Sequence, residues 1–263
     1  MTTEQVLPPW GNDHLSSLFQ AAEDNDRITS LNFPHIYRLL QRIDAAFIRI
    51  GEAVEKDSRE ELLVPRILIA RTLPSFFASI RLAMSGQVPE SYPVLRSGIE
   101  QAWYALHIAK DPHPPDRVKM WLCRNDDESS KSKCRNEFKV ENARSTHQSF
   151  DSATAKQVHE LYERVIDLGA HPNQQGVLSA MNLSEAEEET TCQVGLILPK
   201  VITVLIALKT AMEVAIGTFK VYQLIFPERF KIMSLDEEIE TIVGELNRAF
   251  KPYVSQLKQQ EGN

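Results

Sequence analysis

The chain has 263 residues, 43% hydrophobic and 25% charged, with only ten glycines. That is enough to bury a sizeable core, too apolar for wholesale disorder, and better suited to long helices than to a β-sandwich. A formal net charge of −7 argues against a general nucleic-acid or anionic-membrane surface, since both reward positive charge.

The first stretch, Met1 to Trp10, has neither a basic start nor an apolar core, so no signal peptide is expected. Residues 1–33 read as an irregular, polar N-terminal arm with one short helix at His14–Ala22, and residues 34–263 as a single helical-bundle domain. Pro34 is a good first-turn residue, and Ile36, Leu39, Leu40, Ile43, Phe47 and Ile50 form the stripe of an amphipathic helix running to about Glu55. A second helix is predicted over Arg59–Ser85, with Pro65 and Pro74 as points of kinking, and Gly86 ends it. The next, Tyr92–Ala109, stops at Asp111-Pro-His-Pro-Pro115. A short helix around Val118, Met120, Trp121 and Leu122 follows.

Residues 125–150 are polar and weakly helical. From 117 to 144 there are eight Lys or Arg against five Asp or Glu, the one mildly basic stretch, which reads first as a solvated face. Helix Ser152–Leu168 ends at Gly169, and Ala170-His-Pro-Asn-Gln-Gln-Gly176 is a loop by its content. Val177–Leu183 and Thr190–Leu198 are short apolar runs around an acidic tip, Glu185–Glu189, and suggest a small β-hairpin insertion. Lys200–Phe226 is long and apolar enough to be mistaken for a membrane span, but Lys209 and Glu213 sit mid-segment, one turn apart. A core helix is the better reading, and no membrane partner is expected. A last helix starts at Ser234, whose Ser-Leu-Asp-Glu237 matches a capping box, and is interrupted near Pro252. The fold class expected is all-α, a multi-helix bundle with one small β-hairpin.

Helix 92–109 carries the most informative pattern. At about 100° per residue, Trp103, Arg96, His107 and Glu100 fall within an arc of about 60°. Leu95, Ile99, Leu106, Val94 and Ile108 cover much of the rest. Ionisable groups in so apolar a helix must be paired or face a cavity. The line is therefore an internal ion-pair network or the wall of a pocket lined by Arg96, Glu100, Tyr104 and His107, with His171 as a further lining residue and a small anionic or polar molecule as its ligand. Arg81 adds a second cation if its helix packs antiparallel to this one. Trp103, Tyr104 and Trp121 read first as core and second as the lining of an apolar site.

Other chemistry has weaker footing. Cys123, Cys134 and Cys192 are an odd number without a CxxC pair or zinc-type spacing to His, which fits a reducing cytoplasm. His159 and Glu163 share a helical face, but a metalloprotease signature needs a second His where Glu163 stands. No metal and no cofactor is expected.

Arg164 and His171, with six residues between them, resemble the Arg-x(4–6)-His motif of the HEPN superfamily of helical-bundle proteins. That resemblance implies a dimeric, metal-independent ribonuclease in which Arg164 polarises a phosphate of RNA and His171 assists 2′-hydroxyl attack. Val165 stands where those proteins often carry a polar residue, and Pro172 follows the His. The pattern Ser85-Gly-Gln, Tyr92-Pro-Val-Leu-Arg96-Ser-Gly-Ile-Glu100, Trp121-Leu-Cys-Arg124 and Gly169-Ala-His171-Pro-Asn173 is similar to a group of uncharacterised bacterial all-helical proteins. It implies a bacterial, cytoplasmic origin and supplies no activity. A third functional class is an interaction scaffold that uses segment 125–150 and the acidic tip as docking surfaces, and a homodimer is compatible with any of the three.

Overall fold

The computed structural model describes residues 11–171, 174–179, 181–186, 189–197 and 200–253. Its twelve α-helices are α1 (His14–Asn32), α2 (Pro34–Glu55), α3 (Leu63–Ser85), α4 (Val88–Ala109), α5 (Asp116–Leu122), α6 (Glu128–Glu137), α7 (Val140–Phe150), α8 (Ser152–Val165), α9 (Gln174–Ser179), α10 (Val201–Ile225), α11 (Pro227–Ile232) and α12 (Leu235–Phe250). The chain is an all-α bundle.

Helix α10 occupies the centre. It is mostly buried from Val204 to Ile225, and only Lys209, Glu213, Lys220 and the last turn keep part of their surface in solvent. Helices α2, α3, α4, α8 and α12 pack around it. Gly217 makes room for α8: a Cβ there would come within 3.1 Å of Val158 Cγ2. Among the polar groups inside, the Tyr222 hydroxyl donates to Thr72 Oγ1 at 2.6 Å.

Helices α3 and α4 form an antiparallel hairpin about Gly86, whose φ of 91° lies in the left-handed region that glycine tolerates. They approach closely where Gly98 meets Ser75. Helix α4 begins at Val88, a turn earlier than its pattern suggests, because Pro89 sits in its first turn. Pro65 likewise falls in the first turn of α3, so only Pro74 lies inside that helix.

Two sequence expectations need correction. The arm is not irregular after residue 13: α1 spans nineteen residues, whereas a short helix to Ala22 is what its sequence suggests. Its periodicity is faint because only Ser16 and Thr29 are buried. It is held instead by a reciprocal cap between Asp13 and Ser16 and by side-chain bonds to the end of α3. Asn25 Nδ2 donates to Ser85 O at 2.9 Å, and Thr29 Oγ1 to Met84 O at 3.1 Å. Residues 1–10 lie outside the described residues.

Second, Ser234 caps nothing with its side chain. The unforeseen α11 ends two residues earlier, and Ser234 lies in the left-handed region at φ 50° and gives its N–H to Lys231 O. Arg49 closes this corner by donating to Met233 O and pairing with Glu238.

The backbone of Met181–Ala186 pairs antiparallel with Glu189–Val194, Leu183 opposite Cys192. Val177 belongs to α9 and Leu196 lies past the second segment, so the apolar runs and the paired segments do not coincide. Residues 187 and 188 of the acidic tip lie outside the described residues.

Candidate functional site

The polar line on α4 divides into two sets of contacts. On the N-terminal side, Arg96 Nε donates to Glu100 Oε1 at 2.8 Å and to the Tyr162 hydroxyl at 3.1 Å, and that hydroxyl donates to the same Glu100 oxygen at 2.9 Å. The i,i+4 spacing places Arg96 beside Glu100. Tyr162 arrives from α8, on a buried stripe with Ala155, Val158 and Val165. The guanidinium also lies over the Tyr162 ring, 5.4 Å from its centre.

This triad is not sealed. The side chains of Arg96 and Glu100 keep 28% and 24% of their surface in solvent. Both bonds of the guanidinium use Nε, and neither Nη1 nor Nη2 has a partner among the described residues. Burial works against the Arg96 charge, but the bond to Glu100 and its negative charge more than offset it and raise the pKa. The Tyr162 hydroxyl is pushed up by burial first and then by Glu100, so it stays a neutral donor.

One turn on, Tyr104 is half-buried among rings, with centroids 5.9 Å from both Trp121 and Phe138. Burial, then Glu100 and Glu141, push its hydroxyl up to about 12, while Arg96 and Arg124 pull it down. Arg124 is exposed just beyond α5.

The C-terminal side is closed. His107 is buried, with Nδ1 against Thr146 Oγ1 at 2.7 Å and Nε2 against Glu137 Oε1 at 3.1 Å. Arg117 Nε donates to the same Glu137 oxygen at 2.7 Å, and Arg117 Nη1 to the His107 carbonyl at 2.8 Å. Burial, then the Arg117 charge, lower the pKa of His107 against the pull of Glu137, keeping it neutral. A shared line on the wheel does not make His107 a wall residue: α7 covers it.

Trp103, fully buried between the two sets, donates its indole N–H to His147 Nδ1 at 3.1 Å. The accepting Nδ1 puts the proton of neutral His147 on Nε2, a buried atom without a described partner. Burial lowers the pKa of His147 to about 4. None of Thr146, His147, Glu137, Arg117 or Tyr162 is marked by the α4 pattern. Their only signal is tertiary.

The remaining candidates go elsewhere. Arg81 turns away from α4 and approaches Asp26 of α1 at 3.5 Å. Arg164 Nη1 donates to Glu213 Oε2 at 2.7 Å, in a group completed by Lys209, so the mid-segment Lys and Glu of α10 do pair and Arg164 joins them. His171 is exposed beyond a wide turn, Ile166–Ala170, which reverses at Gly169 with φ 140°. A Cβ on Gly169 would lie in ordinary contact with Pro89 and Tyr92, so this turn sits against the start of α4. Arg164 and His171 therefore do not share one helical face. Pro172 and Asn173 lie outside the described residues. His159 meets Glu163 at 3.5 Å and Arg144 at 3.2 Å, and among the described residues no group of three His, Cys, Asp or Glu is arranged to hold a metal ion.

Comparison with protein-family models, curated proteins and solved structures finds no match for this chain. The arrangement itself is what bears on function. Glu100 Oε1 is saturated by two donors, and no nucleophile is bonded to it among the described residues. What the triad offers is a guanidinium fixed by its inner nitrogen, with its outer edge free to donate two parallel hydrogen bonds.

Proposed function

We propose that the chain binds a small anionic ligand, a carboxylate or phosphate, at the Arg96–Glu100–Tyr162 triad between α4 and α8. The observation that carries this reading is the state of Arg96: its Nε is fixed by Glu100 and Tyr162, while Nη1 and Nη2 remain without described partners on a side chain still open to solvent. Such a fork is oriented before the ligand arrives, so little rotamer entropy is lost on binding. Tyr104, one turn along α4 from Glu100, is the next side chain this reading assigns to the ligand. His107 is excluded from the contact set by its burial.

The test is a thermal-shift titration with inorganic phosphate and with succinate, on the intact chain and on Arg96→Met. A saturable rise in Tm that Arg96→Met abolishes supports the reading. A flat response, or one that Arg96→Met leaves unchanged, refutes it.

A HEPN-like ribonuclease remains the second proposal, and the exposure of His171 is what favours it. Arg164 must then leave Glu213 to reach a phosphate. Cleavage of single-stranded RNA lost on His171→Ala would support this activity, and cleavage absent in the parent chain would end it.

A further inference from the structure

We propose that the outward face of α3 is the seam through which two copies of this chain associate, antiparallel and about a two-fold axis near Ala70. The most apolar stretch of this helix has a mean hydropathy of 1.4, yet only 44% of it is buried. Its exposed residues follow a pattern. Leu63, Ile67 and Phe77 are 49%, 54% and 41% exposed, and Ala70 and Pro74 are exposed between them. The spacing 63, 67, 70, 74, 77 alternates four and three residues, the repeat by which a helix presents one seam to one partner helix. The seam is about 21 Å long, fourteen residues at 1.5 Å each.

Its occupant follows from the order of sizes and charges. Turned end for end about Ala70, the seam sets Leu63 opposite Phe77, Ile67 opposite Pro74, and Ala70 opposite itself. Large residues thus meet at the ends and small ones let the backbones approach at the centre, as self-complementary two-fold packing requires. The same rotation brings Glu60 and Glu61, exposed before α3, to Arg81 of the second copy. Arg59 beside them is already neutralised by Asp57, bonded at 2.7 Å, and Arg81 has only its 3.5 Å approach to Asp26. A parallel arrangement would set Arg81 against Arg81. At the centre, Pro74 supplies no N–H to the Ala70 carbonyl. Arg71, exposed and without a described partner, comes beside that carbonyl in the opposite copy. One helix seam is small for an interface, so the dissociation constant expected is roughly 10–100 µM.

Sedimentation equilibrium of the intact chain from about 1 to 300 µM, spanning that range, decides it. The expected result is a reversible monomer–dimer equilibrium that Ile67→Glu weakens at least tenfold, with the melting temperature of the dilute protein unchanged. An independent variant locates the axis. Ala70→Cys forms a covalent dimer under mild oxidation, while Ala78→Cys, exposed on the same helix but eight residues from the axis, does not exceed the background of the parent chain and its exposed Cys123. A monomer throughout, a dimer indifferent to Ile67→Glu, or crosslinking at Ala78 as fast as at Ala70 overturns the proposal. So does Ile67-dependent binding to phosphatidylglycerol vesicles by a chain that does not self-associate, since the face would then serve a lipid surface.

Discussion

The two sides of α4 carry the same kinds of residue on the same line and are covered to different extents. Around Arg96 and Glu100 one neighbour among the described residues bonds the charges, Tyr162 of α8, and the outer edge of the guanidinium has no described partner. Around His107 and Trp103, α7 closes over the helix, and Thr146, His147, Glu137 and Arg117 leave one buried side-chain atom, His147 Nε2, without a described partner. Whether a charge in an apolar helix becomes a site or a strut is decided by the coverage the neighbouring helix provides, not by the helix that bears it.

If that contrast is right, acid should attack the closed side first. His147 titrates at about 4 when folded, against about 6.5 in an unfolded chain. A depressed pKa means that the unfolded state holds the extra proton, so stability is complete above about pH 6.5, falls as the pH drops, and stops falling near pH 4. The loss is on the order of 3 kcal/mol, and His107 adds to it with the same sign. Urea denaturation at pH 7 and pH 4.5 measures it. His147→Asn, which keeps an acceptor for Trp103 but does not titrate, should flatten this limb, and an unchanged limb would show that the acid sensitivity lies elsewhere.

Next in size, Glu137→Gln should cost about 2 kcal/mol, because a single oxygen serves both Arg117 and His107. It should leave phosphate or succinate binding untouched. Arg96→Met should do the reverse: about 1 kcal/mol of stability, as for an ion pair that keeps about a quarter of its surface in solvent, with the ligand-induced Tm shift gone. If Arg96→Met proves as destabilising as Glu137→Gln, the two sides do not differ and the anion site loses its basis. The smallest effect belongs to Tyr162→Phe, about 0.5 kcal/mol in chemical denaturation. It should weaken ligand binding severalfold by letting the guanidinium turn. A ligand affinity equal to the parent's would show that Glu100 orients Arg96 alone.

The sequence made the fold class legible because most helices bury a face, and burial writes a period into the chain. Helix α1 shows where this fails. Two buried residues in nineteen leave no stripe, and what fixes that helix is a cap and bonds to carbonyls of α3, which leave no periodic trace. The pairing of Arg96 with Glu100 was likewise readable, since both partners lie on one helix. Tyr162 and Glu137 were not, because they stand 66 and 41 residues from Arg96 in the chain and meet α4 only after α6, α7 and α8 have folded against it. His107 differs from Arg96 by what lies above it, and a helical wheel has no information about that. The same limit applies to the two apolar helices. In α10 two thirds of the most apolar stretch is buried, and in α3 less than half, at similar hydropathy.

The bond from Trp103 to His147 gives the molecule an internal optical reporter. Of the two tryptophans among the described residues, Trp103 is sealed in the core with its indole N–H committed to an imidazole, while Trp121 is partly exposed. Protonation of that imidazole would remove the acceptor and place a cation against the indole. The emission of Trp103 should therefore stay blue and constant for as long as α7 remains seated, and change in step with its lifting.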